Sequence, residues 1–408
     1  MVSQRRSIDP AVPSRHQRPP FWRDERVLQV LTQAVFLVLL AIAAVWLASN
    51  YRVQLETKNL LFSFDFLHQE ASFDLSEGPQ FSATDLYLRA FFVGVINTFR
   101  VAIIGIVFAT LVGLVIGVAR LSGNWLMSKI AGIYVEIFRN TPLLVQLFFW
   151  YFAVILKLPR LGTQGQAEAI TLPGPIYLSN RGVMMPWPRV TEGFDPWVPY
   201  LLAATVVAVL LIILRRRGMK RTGRPSFNFL WVVAAFVAIA TAGWLLIPDN
   251  PMYLDRPAIV GDKVMQVVGG TFLSPEYAAL LFGLVVYTGA FIAEVVRAGI
   301  MAVGHGQTEA ARSQGLSETQ ILRLIILPQA MRVIIPPLIS QYLNLTKNSS
   351  LAIAIAFLDV YAVSNTMLNQ SGRVVEVFLM IMAVYLTSSL TISAIMNMVN
   401  RKMQIVER

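Results

Sequence analysis

The strongest constraint on this chain is a series of apolar runs, each long enough to cross a lipid bilayer. A helical crossing needs roughly 17 to 25 mainly apolar residues. Eight runs meet that requirement: Val27–Ala48, Thr98–Val118, Pro142–Leu158, Trp197–Leu214, Phe227–Ile247, Glu276–Val296, Val333–Phe357 and Val374–Val399. Composition agrees, because hydrophobic residues make up 56% and charged residues only 14%. A soluble domain carries about 25% charged residues. The expected fold class is an all-α polytopic membrane protein.

Other chemistries are excluded by what the chain lacks. With no Cys, disulfides and thiolate metal sites are absent. The three His (His16, His68 and His305) are scattered and form no metal-ligand pattern. A net charge of +11 would suggest nucleic acid in a soluble protein. Here it marks loops on the cytoplasmic side, so no nucleic-acid partner is expected. The basic tail to Arg26 is too long for a signal-peptide n-region, so the first span is read as uncleaved.

The basic residues also orient the chain. With the N-terminus inside, most of the 34 Lys and Arg fall on one side, including the block RRRGMKRTGR. Arg120, Lys129, Arg139, Arg297, Arg312, Arg323 and Arg332 lie on that side too. The excess sets both termini in the cytoplasm. The loop from Lys157 to Pro196 then faces outward. Its Pro, Gly and Trp suit either the lipid interface or a cover over a pathway.

Between the sixth and seventh spans lies EAARSQGLSETQILRLIILP, a polar insert from Glu309 to Pro328. It reads as two short helices broken at Gly315. Ser317 and Glu318 cap the second helix, Thr319 to Leu327, which Pro328 ends. Ile321, Leu324, Ile325 and Leu327 are expected on one apolar face, and Ala310 and Ala311 offer a closely approachable surface. Either an amphipathic surface loop or a docking element for a soluble partner fits.

Seven positions of this insert (Glu309, Ala310, Ala311, Gly315, Ile325, Leu327 and Pro328) match the EAA loop of ABC-importer permeases. The stretches Tyr134–Phe152, Tyr287–Ile300 and KNSSLA at Lys347–Ala352 resemble polar amino-acid uptake permeases of the histidine/glutamine/arginine type. The chain has three extra spans, which resembles the enlarged permease subunits of general L-amino acid importers. The resemblance implies a type I ABC-importer permease fold, with a five-span core in the bacterial inner membrane. It implies that the EAA loop forms coupling helices seated on a cytoplasmic ABC ATPase dimer. It also implies a second, sister permease, a periplasmic amino-acid-binding protein and surrounding lipid. ATP and Mg would be held by the ATPase, with no cofactor on this chain.

The expected organisation follows from these segments. Residues 1–93 carry the tail, extra span and outer loop; 94–158 hold two core spans; 159–275 are an insertion with two extra spans. Residues 276–399 complete the core, with the coupling loop at 305–330, and 400–408 form the tail.

Several polar residues within the spans are candidates for a solute path or gate. Glu136 and Arg139 are three apart and can pair, either structurally or as a gate. Asn140 or Thr141 can cap a helix beginning at Pro142. Glu294 and Arg297 form either a local ion pair or a cytoplasmic gate. Asn344, Lys347, Asn348, Ser349 and Ser350 make a polar patch too costly to face lipid, so it lines a path or bonds to other helices. Gly105, Ala109, Gly113 and Gly117 recur every four residues and allow close helix approach.

No GxxxxGK[ST] loop, catalytic triad or paired-carboxylate site is present. The leading reading is therefore a permease subunit without enzymatic activity, working with a separate ATPase. A stand-alone secondary transporter or channel would need ion-coupling carboxylates, for which only Glu294 and Glu276 are candidates.

Overall fold

The computed structural model describes residues 25–57, 62–159, 170–222, 229–260 and 266–403. The basic tail before Glu25 and part of the RRRGMKRTGR loop lie outside them. The chain divides into two compact units, residues 1–64 and 65–408. The first holds α1 (Glu25–Thr57), whose apolar stretch Leu28–Val53 contains most of the first expected span.

The second unit is built from α2 (Tyr87–Ala119), α3 (Trp125–Asn140), α4 (Leu143–Phe148), α5 (Phe194–Thr222), α6 (Phe229–Leu246) and α7 (Pro275–Met301). It continues with α8 (His305–Ser313), α9 (Glu318–Ile321), α10 (Leu327–Asn348), α11 (Val360–Ser371) and α12 (Val374–Met403). Among the described residues, six helices are long and apolar enough to cross a membrane, and a bent pair raises the number to seven. With α6 at 18 residues, the fifth expected span is about 27 Å long.

The third expected span is not a straight crossing. Pro142–Leu158 is only the second arm of a helix pair bent by 105°, and α3 is the first. The bend has a local cause. Pro142 has no N–H with which to continue α3. The Thr141 hydroxyl donates back to the Ile137 carbonyl at 2.8 Å. The buried Gln146 amide donates to the carbonyls of Phe138 and Thr141, both at 2.9 Å. Neither Asn140 nor Thr141 caps α4, as the sequence had suggested. Pro142 itself is the N-cap residue, and its carbonyl accepts from Gln146 N at 3.2 Å.

Close approach of α2 to its neighbours rests on the small-residue stripe. A Cβ at Gly113 would lie 2.5 Å from Cβ of Ile292, and one at Gly117 2.7 Å from the Ala293 carbonyl. Gly105 turns the same stripe toward Leu345 of α10, at 3.3 Å. Small residues thus substitute backbone contact for side-chain volume, as in other membrane helix pairs.

A strap ahead of α2 closes one end of the bundle. Phe66, Ala71 and Leu75 are buried against Tyr87 and Phe91 of α2 and Val363 and Met367 of α11. Glu77 is held 3.6 Å from Arg100, whose guanidinium sits over the Tyr277 ring at 4.8 Å. Burial pushes the Glu77 carboxyl above its usual range, against the opposing Ser274 hydrogen bond and Arg100 charge.

The insertion carries strands that its sequence did not announce. β1 (Ile170–Leu172), β2 (Ile176–Ser179), β3 (Gly182–Met185) and β8 (Thr271–Leu273) form one antiparallel sheet, in the order β1-β2-β3-β8. β4 (Trp187–Val190) pairs with β5 (Met252–Asp255), and β6 (Ala258–Val260) with β7 (Gln266–Val268). Strands of three or four residues show too little alternation to read. Two of the pairings, β3–β8 and β4–β5, also span the α5–α6 hairpin, as in Val183↔Leu273. Within that hairpin, Trp197 Nε1 donates to the Ala240 carbonyl at 2.9 Å and its ring packs edge-on against Trp244. Trp187, by contrast, is exposed on β4.

Candidate coupling and translocation site

The connection between α7 and α10 is a compact helical hairpin, and Gly315 makes its turn. Gly315 has φ +78°, the left-handed region that side chains with a Cβ resist. Its N–H donates to the Arg312 carbonyl at 2.9 Å, and Leu316 N–H to the Ala311 carbonyl at 3.2 Å. This pair of bonds is the Schellman arrangement that ends helices at glycine. Arg312 and Glu318 close the turn from outside with a 2.8 Å ion pair. Ser317 occupies the N-cap of α9, and its N–H donates to the Gln320 side chain at 2.9 Å.

Two expectations about the second helix are corrected. Pro328 does not end it. After four residues, α9 widens into a π-helical stretch, Leu322–Ile326, that feeds directly into α10 with Pro328 in its first turn. A first-turn proline needs no intrahelical donor, and the Gln329 side chain satisfies the Ile325 carbonyl at 3.0 Å. The apolar face is also redistributed. Ile321 is fully buried and Ile325 half-buried, but Leu324 and Leu327 are exposed. The wider π turn rotates these side chains away from the 3.6-residue period. Of the remaining loop positions, Ala311 is buried, while Glu309 and Ala310 are exposed. The hairpin therefore offers an outward face that includes Glu309, Ala310, Leu324 and Leu327.

A second site gathers charges from three elements. Glu294 of α7 pairs with Arg297 at 2.5 Å, one turn along, as the spacing suggested. It also receives Arg120 from the end of α2, and Arg139 from the end of α3 lies 3.8 Å away. Arg139 additionally stacks over the Phe291 ring at 5.2 Å. The expected Glu136–Arg139 pair does not form. Glu136 is exposed, while Ala131 and Val135 on the same helix are buried and the Tyr134 hydroxyl donates to the Val286 carbonyl of α7 at 2.7 Å. One carboxylate facing three guanidiniums leaves the cluster with excess positive charge.

The polar patch of α10 is split by the helix. Asn344 and Lys347 share an exposed stripe with Ser340, and among the described residues neither side chain has a hydrogen-bond or ion-pair partner. Asn348 is half-buried. Ser349 is buried and its hydroxyl donates to the Thr346 carbonyl at 2.9 Å, while Ser350 donates to the Lys347 carbonyl at 2.8 Å. These two serines tie the junction between α10 and its 3-10 extension, Ser349–Ile355. The available polar groups are thus Ser340, Asn344 and Lys347. Ser340 and Gln146 are the residues that sequence reading missed. Ser340 falls one helical turn before Asn344, a spacing that could have revealed it.

Comparison with known proteins places this geometry in context. The family described as the binding-protein-dependent transport system inner membrane component matches residues 105–405. The protein YhdX of Escherichia coli, named as an amino-acid ABC transporter permease protein, is 44% identical over 383 residues, covering 92% of this chain and 94% of YhdX. The general L-amino acid transport system permease protein AapQ of Rhizobium johnstonii is 41% identical, covering 94% of each chain. The glutamate/glutamine/aspartate/asparagine transport system permease protein BztB of Rhodobacter capsulatus is 38% identical over 94% of this chain and 96% of its own.

Proposed function

Because the chain belongs to the binding-protein-dependent transport system inner membrane components, we propose that it is the permease subunit of an ATP-driven importer of L-amino acids. It works in the inner membrane as a multi-pass protein. The observation that carries the coupling role is the hairpin α8–α9. It is a glycine-turned element that keeps Glu309 and Ala310 exposed while Ile321 is fully buried. An ATPase dimer seated on that face would supply ATP and Mg, and would transmit its closure through the π-helical stretch into α10.

The exposed stripe Ser340, Asn344 and Lys347 supports a solute path on the same helix. A charged group in a span is costly unless it meets water, a partner or a solute. The stripe therefore faces a second permease, a sister chain, across a path filled from a periplasmic binding protein. Purification of a tagged chain tests the assembly. An ATPase, a second permease and amino-acid-stimulated ATP hydrolysis should come with it. Uptake by this chain alone in ATP-free liposomes would favour a stand-alone transporter instead.

A further inference from the structure

The turn between α2 and α3 separates two cavities of opposite character. One, of about 1060 Å³, is lined by Leu114, Val115, Val118, Met127, Ile130 and Ile300, and reaches Leu322 of the coupling hairpin. Val115 and Ile130 in this groove are 65% and 59% exposed. The other, of about 450 Å³, lies on the opposite face of α3 and includes Arg120, Ser128, Lys129 and Glu136. Ser122 lines both.

We propose that this turn binds one anionic phospholipid, with an acyl chain along the apolar groove and the phosphate at Ser122, Arg120 and Lys129. Length fits. Leu114 to Leu121 spans about 10 Å of helix, within the ~15 Å of one leaflet's hydrocarbon. In the orientation read from the basic residues, that leaflet is the inner one. The chemistry of the groove admits a hydrocarbon chain and little else. Its polar lining is Ser122 and Asn124, and the Asn124 side chain already accepts from Met127 N at 3.2 Å. Ser122 Oγ accepts from Asn124 N at 3.1 Å, which leaves its hydroxyl proton for a phosphate oxygen.

Charge selects the headgroup. Arg120, Arg139 and Arg297 share the single carboxylate of Glu294. Lys129 adds a cation with no partner among the described residues, and Glu136 offsets only one charge. The turn is therefore net positive where a phosphate would sit. A basic pocket between spans on the cytoplasmic side is a suitable host for an anionic headgroup. Because Leu322 closes part of the groove, the lipid would touch the element proposed to couple ATP hydrolysis.

Native mass spectrometry of the assembled importer tests this. The complex would be equilibrated in micelles containing phosphatidylglycerol or phosphatidylcholine with identical acyl chains. The wild type should retain one phosphatidylglycerol per copy of this chain, in preference to phosphatidylcholine. Lys129→Gln should lower that preference about fivefold, the worth of one basic residue near a membrane surface. Val115→Trp, which fills the groove from an exposed position, should lower retention of both lipids. Equal retention of the two lipids by the wild type, no retained lipid in the assembled complex, or retention unchanged in both variants would overturn the proposal. None of these results depends on which amino acid is transported.

Discussion

Arg139 at the end of α3 lies 3.8 Å from Glu294 of α7, and not beside Glu136, its neighbour three residues earlier. That relationship ties the bent α3–α4 arm to the helix that leads into the α8–α9 hairpin. Arg120 and Arg297 complete the cluster. Replacing Glu294 with Gln removes the counter-charge of three guanidiniums. In this partly exposed setting the loss should be about 1–2 kcal/mol, below the 3–5 kcal/mol of a fully buried pair. Thermal unfolding of the purified complex should shift down for Glu294→Gln and stay unchanged for Glu136→Gln. Equal shifts in the two variants would remove the cluster's structural role.

Gly315 supplies the second test. Its φ of +78° is disfavoured for residues with a Cβ, although no atom lies within 4 Å of the Cβ position. The obstacle is conformational, not steric crowding. Gly315→Val should cost about 1–2 kcal/mol in the turn, whereas Gly315→Asn should be tolerated better because Asn visits this region. Permease abundance should hold in both. ATPase retention or substrate-stimulated hydrolysis should fall in the Val variant. If Val behaves as the wild type does, the turn is not a coupling hinge.

Lys347 and Ser349 separate a path role from a packing role. The Lys347 side chain is exposed and has no partner among the described residues, while the Ser349 hydroxyl donates to the Thr346 carbonyl. A hydrogen bond from a charged group is worth about 1.5–3 kcal/mol, so Lys347→Ala should slow uptake about tenfold or more if Lys347 meets the solute. Ser349→Ala should leave uptake within about threefold, since one neutral bond is worth only ~1 kcal/mol. Uptake assays alongside ATPase co-purification check both. Normal uptake by Lys347→Ala would return α10's stripe to helix packing.

Asp359 predicts a pH dependence. It lies between the last two spans and caps α11, accepting from Ala362 N at 2.9 Å, with the Tyr385 hydroxyl at 3.5 Å. Burial pushes its carboxyl up from 3.8 to about 7, despite the opposing hydrogen bonds from Ala362, Tyr361 and Tyr385. The folded state therefore holds a proton that the unfolded chain releases. This contribution to stability is complete below pH 3.8 and is lost as pH rises through about 7. Asp359→Asn keeps a capping oxygen without the charge. Its melting temperature should vary less than the wild type's between about pH 4 and 7, the window over which that contribution is lost. An identical pH profile in both proteins would show that Asp359 does not titrate there.

Local chemistry sufficed for much of this protein. Apolar runs must become helices in a bilayer, because backbone polar groups find no water there. Gly315 between two helix-forming stretches marked a break between two short helices before any coordinates, and four-residue spacing marked the small face of α2. Glu294 and Arg297, one helical turn apart, could be paired from sequence for the same reason. What lay beyond sequence depended on distance along the chain and on rotation of helices. Only the packed bundle brings Arg120 and Arg139 to Glu294, and only the orientation of α3 sends Glu136 away. The π-helical stretch at Leu322–Ile326 shifts the phase of its side chains, so a regular wheel misplaces Leu324 and Leu327. In the insertion, β3 and β4 find their partners β8 and β5 only across the α5–α6 hairpin, since three or four residues in isolation cannot stabilise an extended segment.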